Sequence, residues 1–220
     1  MRITLALAVL ISLVQPALCR PYESELGFEC DVPPGWFIVN KDSLRVNPDF
    51  FVQHDALLGH VPGVGKDLLA TAIIFEVAEV FMDTALVYGV PRAGVTILFD
   101  RVPVPQDSAA LDTARAELES SISNLRGDAG IAIEFESYEL VRIGDRQCAR
   151  LEYIEPPLQR RTVQYGLPLD DGRRVTIAGS YQIVDAPISR TLIDHFATSF
   201  RLTSRRPPSE APGVRAAKPN

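Results

Sequence analysis

The chain has 220 residues, 46% of them apolar, and its 22 basic and 28 acidic residues give a formal net charge of −6. That length and apolar content suit one domain with an ordinary core. No basic block is interleaved with aromatics, which excludes a nucleic-acid surface of the usual kind.

The first residues predict the compartment. Met1-Arg2 is a short basic start, Ile3 to Val14 is an uncharged run, and Pro16 and Ala17 follow. Residues 1–19 therefore read as a secretory signal peptide, too short to span a bilayer. Cleavage after Cys19 places small residues at the two recognition positions. Lipoprotein anchoring at Cys19 is the minority alternative, because Leu18 stands where a small residue is wanted. Removing Arg2 leaves 21 basic against 28 acidic residues. Only three of the basic residues are lysines, and with abundant Ala and Val this usage is associated with GC-rich bacterial genomes. The expectation is export to a bacterial periplasm or beyond.

Beyond the leader, Cys30 and Cys148 are the cysteines. In an oxidising compartment they are a disulfide candidate, closing a loop worth about 4 kcal/mol in the chain-entropy model. Two unpaired core thiols are the other reading. Both stay open.

Phe28–Val32 and Trp36–Asn40 alternate as two short strands, joined by Pro33-Pro34-Gly35 as a hairpin or a sharp corner. Lys41 to Asp67 is irregular text, and an insert is expected around residues 46–92. Within it, Glu76, Glu79 and Asp83 fall three and four apart, which predicts a helix over at least part of 67–89. A strand through 71–80 competes. The acids speak against a transmembrane span. The apolar segment Leu68 to Val87 and the sheet face are the expected contact surfaces.

Val95–Phe99 reads as a strand. Asp107 or Ser108 caps a helix carrying Leu111, Ala114, Leu118, Ile122 and Leu125 on one face, with Arg115 and Glu119 paired outside. Four strands follow, turning at Gly144-Asp145, Pro156-Pro157 and Asp170-Asp171-Gly172, an antiparallel meander. A last helix begins near Pro187 with Ile188, Leu192, Ile193 and Phe196 on one face, closed by Phe200 and Leu202. The fold class is α+β: an antiparallel sheet with helices packed against it, one domain over 20–202 and a disordered tail over 203–220.

The entry "FECDVPPGWFIV" and the exit "DDGRRVTIAGSY", followed by "ISRTLIDHFATSFRL", resemble the PsbP/Mog/DcrB superfamily. The resemblance covers roughly Phe28 to Leu202, and its motifs are structural. The stretch Val46 to Arg92 is longer than the family pattern. What the resemblance implies is a non-enzymatic scaffold that binds a partner, since members bind a small GTPase, a photosystem or envelope components.

Catalytic patterns fail in turn. "GHVPGVGKD" has one residue too many for a phosphate loop and Asp67 where a hydroxyl belongs. His54, His60 and His195 match no metal spacing. Ser180 is not at a nucleophile elbow, and Asp170-Asp171 are ordinary turn formers. No cofactor, metal or catalytic residue is therefore expected. The leading expectation is a non-catalytic binding domain of the envelope, acting on a protein or envelope partner. A carrier of a lipid or hydrophobic ligand is the alternative, and a hydrolase a third. Phe28 and Trp36 are the expected apolar anchors of the entry corner.

Overall fold

A computed structural model describes residues 19–47, 72–74, 78–87, 90–129 and 133–203. The predicted leader, the tail from residue 204, the glycine-rich segment 59–67, His54, His60 and Glu76 lie outside the described residues. Seven antiparallel strands form the main sheet, in the order β3(Trp36–Val39), β4(Ala78–Asp83), β7(Ala93–Asp100), β11(Arg174–Gln182), β10(Arg160–Pro168), β9(Arg146–Glu155), β8(Glu134–Ile143). A small sheet stands beside it, with β2(Phe28–Val32) between β1(Arg20–Ser24) and β12(Arg201–Leu202). A short ribbon pairs β5(Leu86–Val87) with β6(Val90–Pro91).

Among the described residues the longer helices are α1(Lys41–Val46), α2(Ser108–Ala129) and α3(Ala186–Ser199), and residues 72–74 are also helical. Among the described residues, no helix is long and apolar enough to cross a membrane. The meander β8–β11 follows the sequence expectation, since each turn signal falls between consecutive neighbours. Asp107 caps α2: its Oδ1 accepts from the Ala110 amide at 2.8 Å. Arg115, expected on the outside, turns inward instead. It donates to the Tyr138 carbonyl at 2.8 Å and lies over the Phe135 ring.

The main core lies between the large sheet, α3 and the small sheet. Phe28, Trp36, Phe81, Ile97, Val163, Ile177, Ile193, Phe196 and Phe200 are all buried in it. Helix α3 contributes Leu192, Ile193, Phe196 and Ala197. Ile188, expected on that face, is exposed. At its centre α3 meets the backbone of β11. A Cβ added to Gly179 would come within 2.3 Å of Ile193 Cγ2, so only glycine fits there. A second, smaller core lies across β4, where Val39, Leu44, Ile73, Val80 and Met82 meet under α1.

Two expectations need correction. Residues 72–74 are helical, as expected for part of 67–89, but the helix does not extend over residues 78–83, which form a strand between β3 and β7 with all six residues buried. Glu79, Phe81 and Asp83 share one face, because a spacing of four fits a two-residue period as well as a helical one. Residues 78–83 are thus sheet core rather than a contact surface. Lys41–Val46, read as irregular, is a helix closed by a capping box: Asn40 Oδ1 accepts from Ser43 N, and Ser43 Oγ accepts from Asn40 N. Of the two expected links between β2 and β3, the sharp corner forms and not the hairpin, for the strands belong to different sheets.

Candidate functional site

The chain between those two strands turns a corner. Trp36 N donates to the Pro33 carbonyl at 3.3 Å, and Gly35 sits at φ +78, a pattern that wants proline then glycine at the centre of the turn. The Gly35 carbonyl accepts from Thr84 N at 3.2 Å and Thr84 Oγ1 at 2.8 Å, which ties the corner to the end of β4. Phe28 stacks on Phe200 at 5.2 Å and Trp36 on Phe196 at 6.4 Å. Cys30 and Cys148 are buried, unpaired thiols in the same core, and burial pushes both thiols up, Cys148 to about 11. The bridge weighed from the sequence is not formed in this structure.

Beside this corner lies the most perturbed carboxyl of the described chain. Glu79 on β4 is 4% exposed and points at the small sheet. Its Oε1 accepts from Ser24 Oγ at 2.8 Å and its Oε2 from Tyr22 Oη at 3.1 Å. Tyr22 Oη in turn accepts from Asn40 Nδ2 at 3.5 Å. Among the described residues no cation stands within ion-pair reach of Glu79. Burial pushes its carboxyl up from 4.5 to about 7, against the two hydrogen bonds and with a small push from Glu25. Burial and the Glu79 charge likewise raise the Tyr22 hydroxyl.

This group forms the floor of a cleft of about 230 Å³ between β1, α1 and β4, whose rim carries Glu23, Glu25, Lys41 and Asp42. The arrangement can change charge near neutral pH. Ser24 is fully buried and its Oγ also accepts from the Leu26 amide, so its hydroxyl is not available as a nucleophile. The spacing of the acids in the sequence placed Glu79 on a predicted helix. The signal that would have found it is the alternation Ala78-Val80-Met82 against Glu79-Phe81-Asp83.

A second polar cluster covers the sheet beyond α3. Glu152 of β9, with a side chain 7% exposed, receives Arg150, with Arg161 at 3.6 Å and Arg190 at 3.8 Å. Arg161 also pairs with Glu136 at 2.6 Å and Arg150 with Glu139 at 2.9 Å. Tyr165 Oη donates to Asp194 at 3.1 Å. The remaining candidates are separate. His195 Nε2 faces Asp31 Oδ2 at 3.5 Å, Ser180 is buried within β11, and Asp171 Oδ1 accepts from the Arg173 amide in its turn.

The fold has a solved counterpart in CyanoP, the cyanobacterial PsbP of Synechocystis. The two superpose with a TM-score of 0.50 at 17% identity, over 84% of this chain and 93% of that one. The fold is PsbP-like. A protein of Bacteroides thetaiotaomicron matches at 8% identity and a TM-score of 0.44, over 85% of this chain and 49% of that one. PA94 of Pseudomonas aeruginosa matches at 11% and 0.38, over 77% and 86%. No family model and no curated protein matches the chain. The PsbP-like likeness bears on the fold, which holds both the corner and the Glu79 cleft on the small-sheet side.

Proposed function

We propose that the protein is an exported, non-catalytic accessory domain of the cell envelope that works by binding. The observation carrying this reading is the contact of Ile193 with the Gly179 backbone. It closes the interior between α3 and the sheet to a hydrophobic ligand and favours recognition at the outer surface. A carrier needs an apolar cavity of several hundred Å³. The aromatic contacts among Phe28, Phe81, Phe196 and Phe200 fill that volume with side chains. The PsbP-like fold supports an accessory role, and the leader supports export.

Crosslinking in an envelope fraction followed by capture of the chain tests the reading. A discrete partner recovered in stoichiometric amount is the expected result. Recovery of general envelope proteins only would overturn it. N-terminal sequencing of the exported chain is expected to begin at Arg20, and an acylated Cys19 would instead establish lipoprotein anchoring.

A further inference from the structure

We infer that the Glu79 cleft is a binding site for a primary ammonium group carried on an alkyl stem. The inference names the chemistry of the ligand and rests on the binding role proposed above. Three acids are fully buried among the described residues: Glu79, Asp83 and Glu152. Asp83 holds Arg92 at 2.7 Å, and Glu152 holds Arg150. Glu79 departs from this pattern. Its described partners are two hydroxyls, Ser24 Oγ at 2.8 Å and Tyr22 Oη at 3.1 Å, and across β7 it faces Ile97. Buried carboxylates are ordinarily paired with a cation, because two neutral hydrogen bonds replace only part of the lost hydration. Unlike the other two, Glu79 also lines an open cleft, so a cation from outside can reach it.

The cleft has the size and walls for such a group. Its volume is about 230 Å³, and the buried side chains of Leu26, Ile73 and Ala78 line it beside the carboxylate. Methylenes pack on these walls while the charged tip reaches the floor. The charged groups around Glu79 are Glu23 and Glu25 from β1 and its turn, with Lys41 and Asp42 from α1. Tyr22 of β1 and Cys30 of β2 are its other titratable neighbours. Three acids against one base at the rim draw a cation inward. Burial holds the Glu79 carboxyl at about 7, and an ammonium beside it would bring that value down.

The hydrogen bonds already made at the floor select ammonium over other cations. Each Glu79 oxygen accepts one hydroxyl and keeps one acceptor position. A compact ammonium can use either position, whereas a guanidinium fork wants both oxygens open in parallel. A divalent metal wants several ligands, and no group of three His, Cys, Asp or Glu side chains able to hold one is gathered among the described residues. Two carriers present an ammonium on such a stem: a lysine side chain of the partner and a free diamine.

Titration of the purified chain with cadaverine and with Nα-acetyl-lysine methylamide, followed by amide NMR shifts, tests the inference. Both probes are cationic at pH 8. Saturable shifts are expected at the amides of Tyr22, Ser24 and Glu79, with affinity at least about ten-fold weaker in Glu79→Gln. In the unaltered chain, affinity should fall about ten-fold from pH 8 to pH 6, because protonation removes the Glu79 charge. Pentanol, a similar stem without charge, should give no saturable shift. The tighter probe identifies the carrier: the lysine derivative points to a partner side chain, cadaverine to a free diamine. Equal affinity of parent and Glu79→Gln overturns the inference, since the rim then binds cations without the floor. So does affinity that is unchanged between pH 8 and pH 6, a readout that needs no variant. Capture of a discrete partner with no amine binding overturns the cleft alone, and amine binding with no partner overturns the accessory role alone.

Discussion

The Ser24 hydroxyl donates to Glu79 Oε1 at 2.8 Å, so the first strand of the fold is fastened to an inner strand of the large sheet through two buried side chains 55 residues apart. The carboxyl at this joint carries a charge that no described cation offsets. Its titration is therefore written into the stability of the domain.

Glu79 has its pKa raised from 4.5 to about 7 by burial. The stability contributed by its neutral form is fully present below about pH 4.5 and is lost as pH rises through 7. The loss is on the order of 3 kcal/mol. Glu79→Gln should flatten this window and exceed the parent in stability above pH 7. Urea titrations of both proteins at pH 5, 6, 7 and 8 check it. Parallel curves for the two would refute the assignment.

Gly179→Ala places a methyl group into Ile193 Cγ2, a branched atom with little freedom to move. A loss of about 1–3 kcal/mol is expected from overpacking. Adding Ile193→Ala should recover part of that loss, and a double-mutant cycle by thermal denaturation measures the coupling. Additive effects would mean that α3 does not press on β11.

The Glu152 cluster should respond unequally to its partners. Glu152→Ala removes the shared buried carboxylate, while Arg150 keeps Glu139, Arg161 keeps Glu136 and Arg190 keeps Asp194, and should cost about 1–3 kcal/mol. Arg190 is 46% exposed, and Arg190→Ala should cost less than about 1 kcal/mol. Equal losses in chemical denaturation would contradict the buried position of Glu152.

Cys30 and Cys148 are buried thiols whose ionisation is pushed up by desolvation. Neither should react with Ellman's reagent in the native protein, and both should react in guanidinium without added reductant. A non-reduced mass two hydrogens light would show the bridge instead.

Much of the fold was legible from the chain alone. The meander from Glu134 to Gln182 and the helices α2 and α3 rest on neighbours in sequence: turn residues at 144 and 172, the Asp107 cap, and apolar steps of three and four. Local chemistry settles such elements. The entry corner was readable for the same reason, since two prolines and a glycine specify a turn whatever lies around it.

Other features depended on partners far away in the chain. Glu79 and Asp83 have a spacing that serves a helix and a strand alike, and only Tyr22, Ser24 and Arg92, brought in by other strands, decide for the strand. The corner could have closed a hairpin, but Trp36 pairs with Asp83 while Phe28 pairs with Ser24 and Leu202. Short-range geometry determined which segments could be strands and helices. Burial of their faces, which only the assembled sheets provide, decided which acid lost its water and which apolar side chains kept theirs.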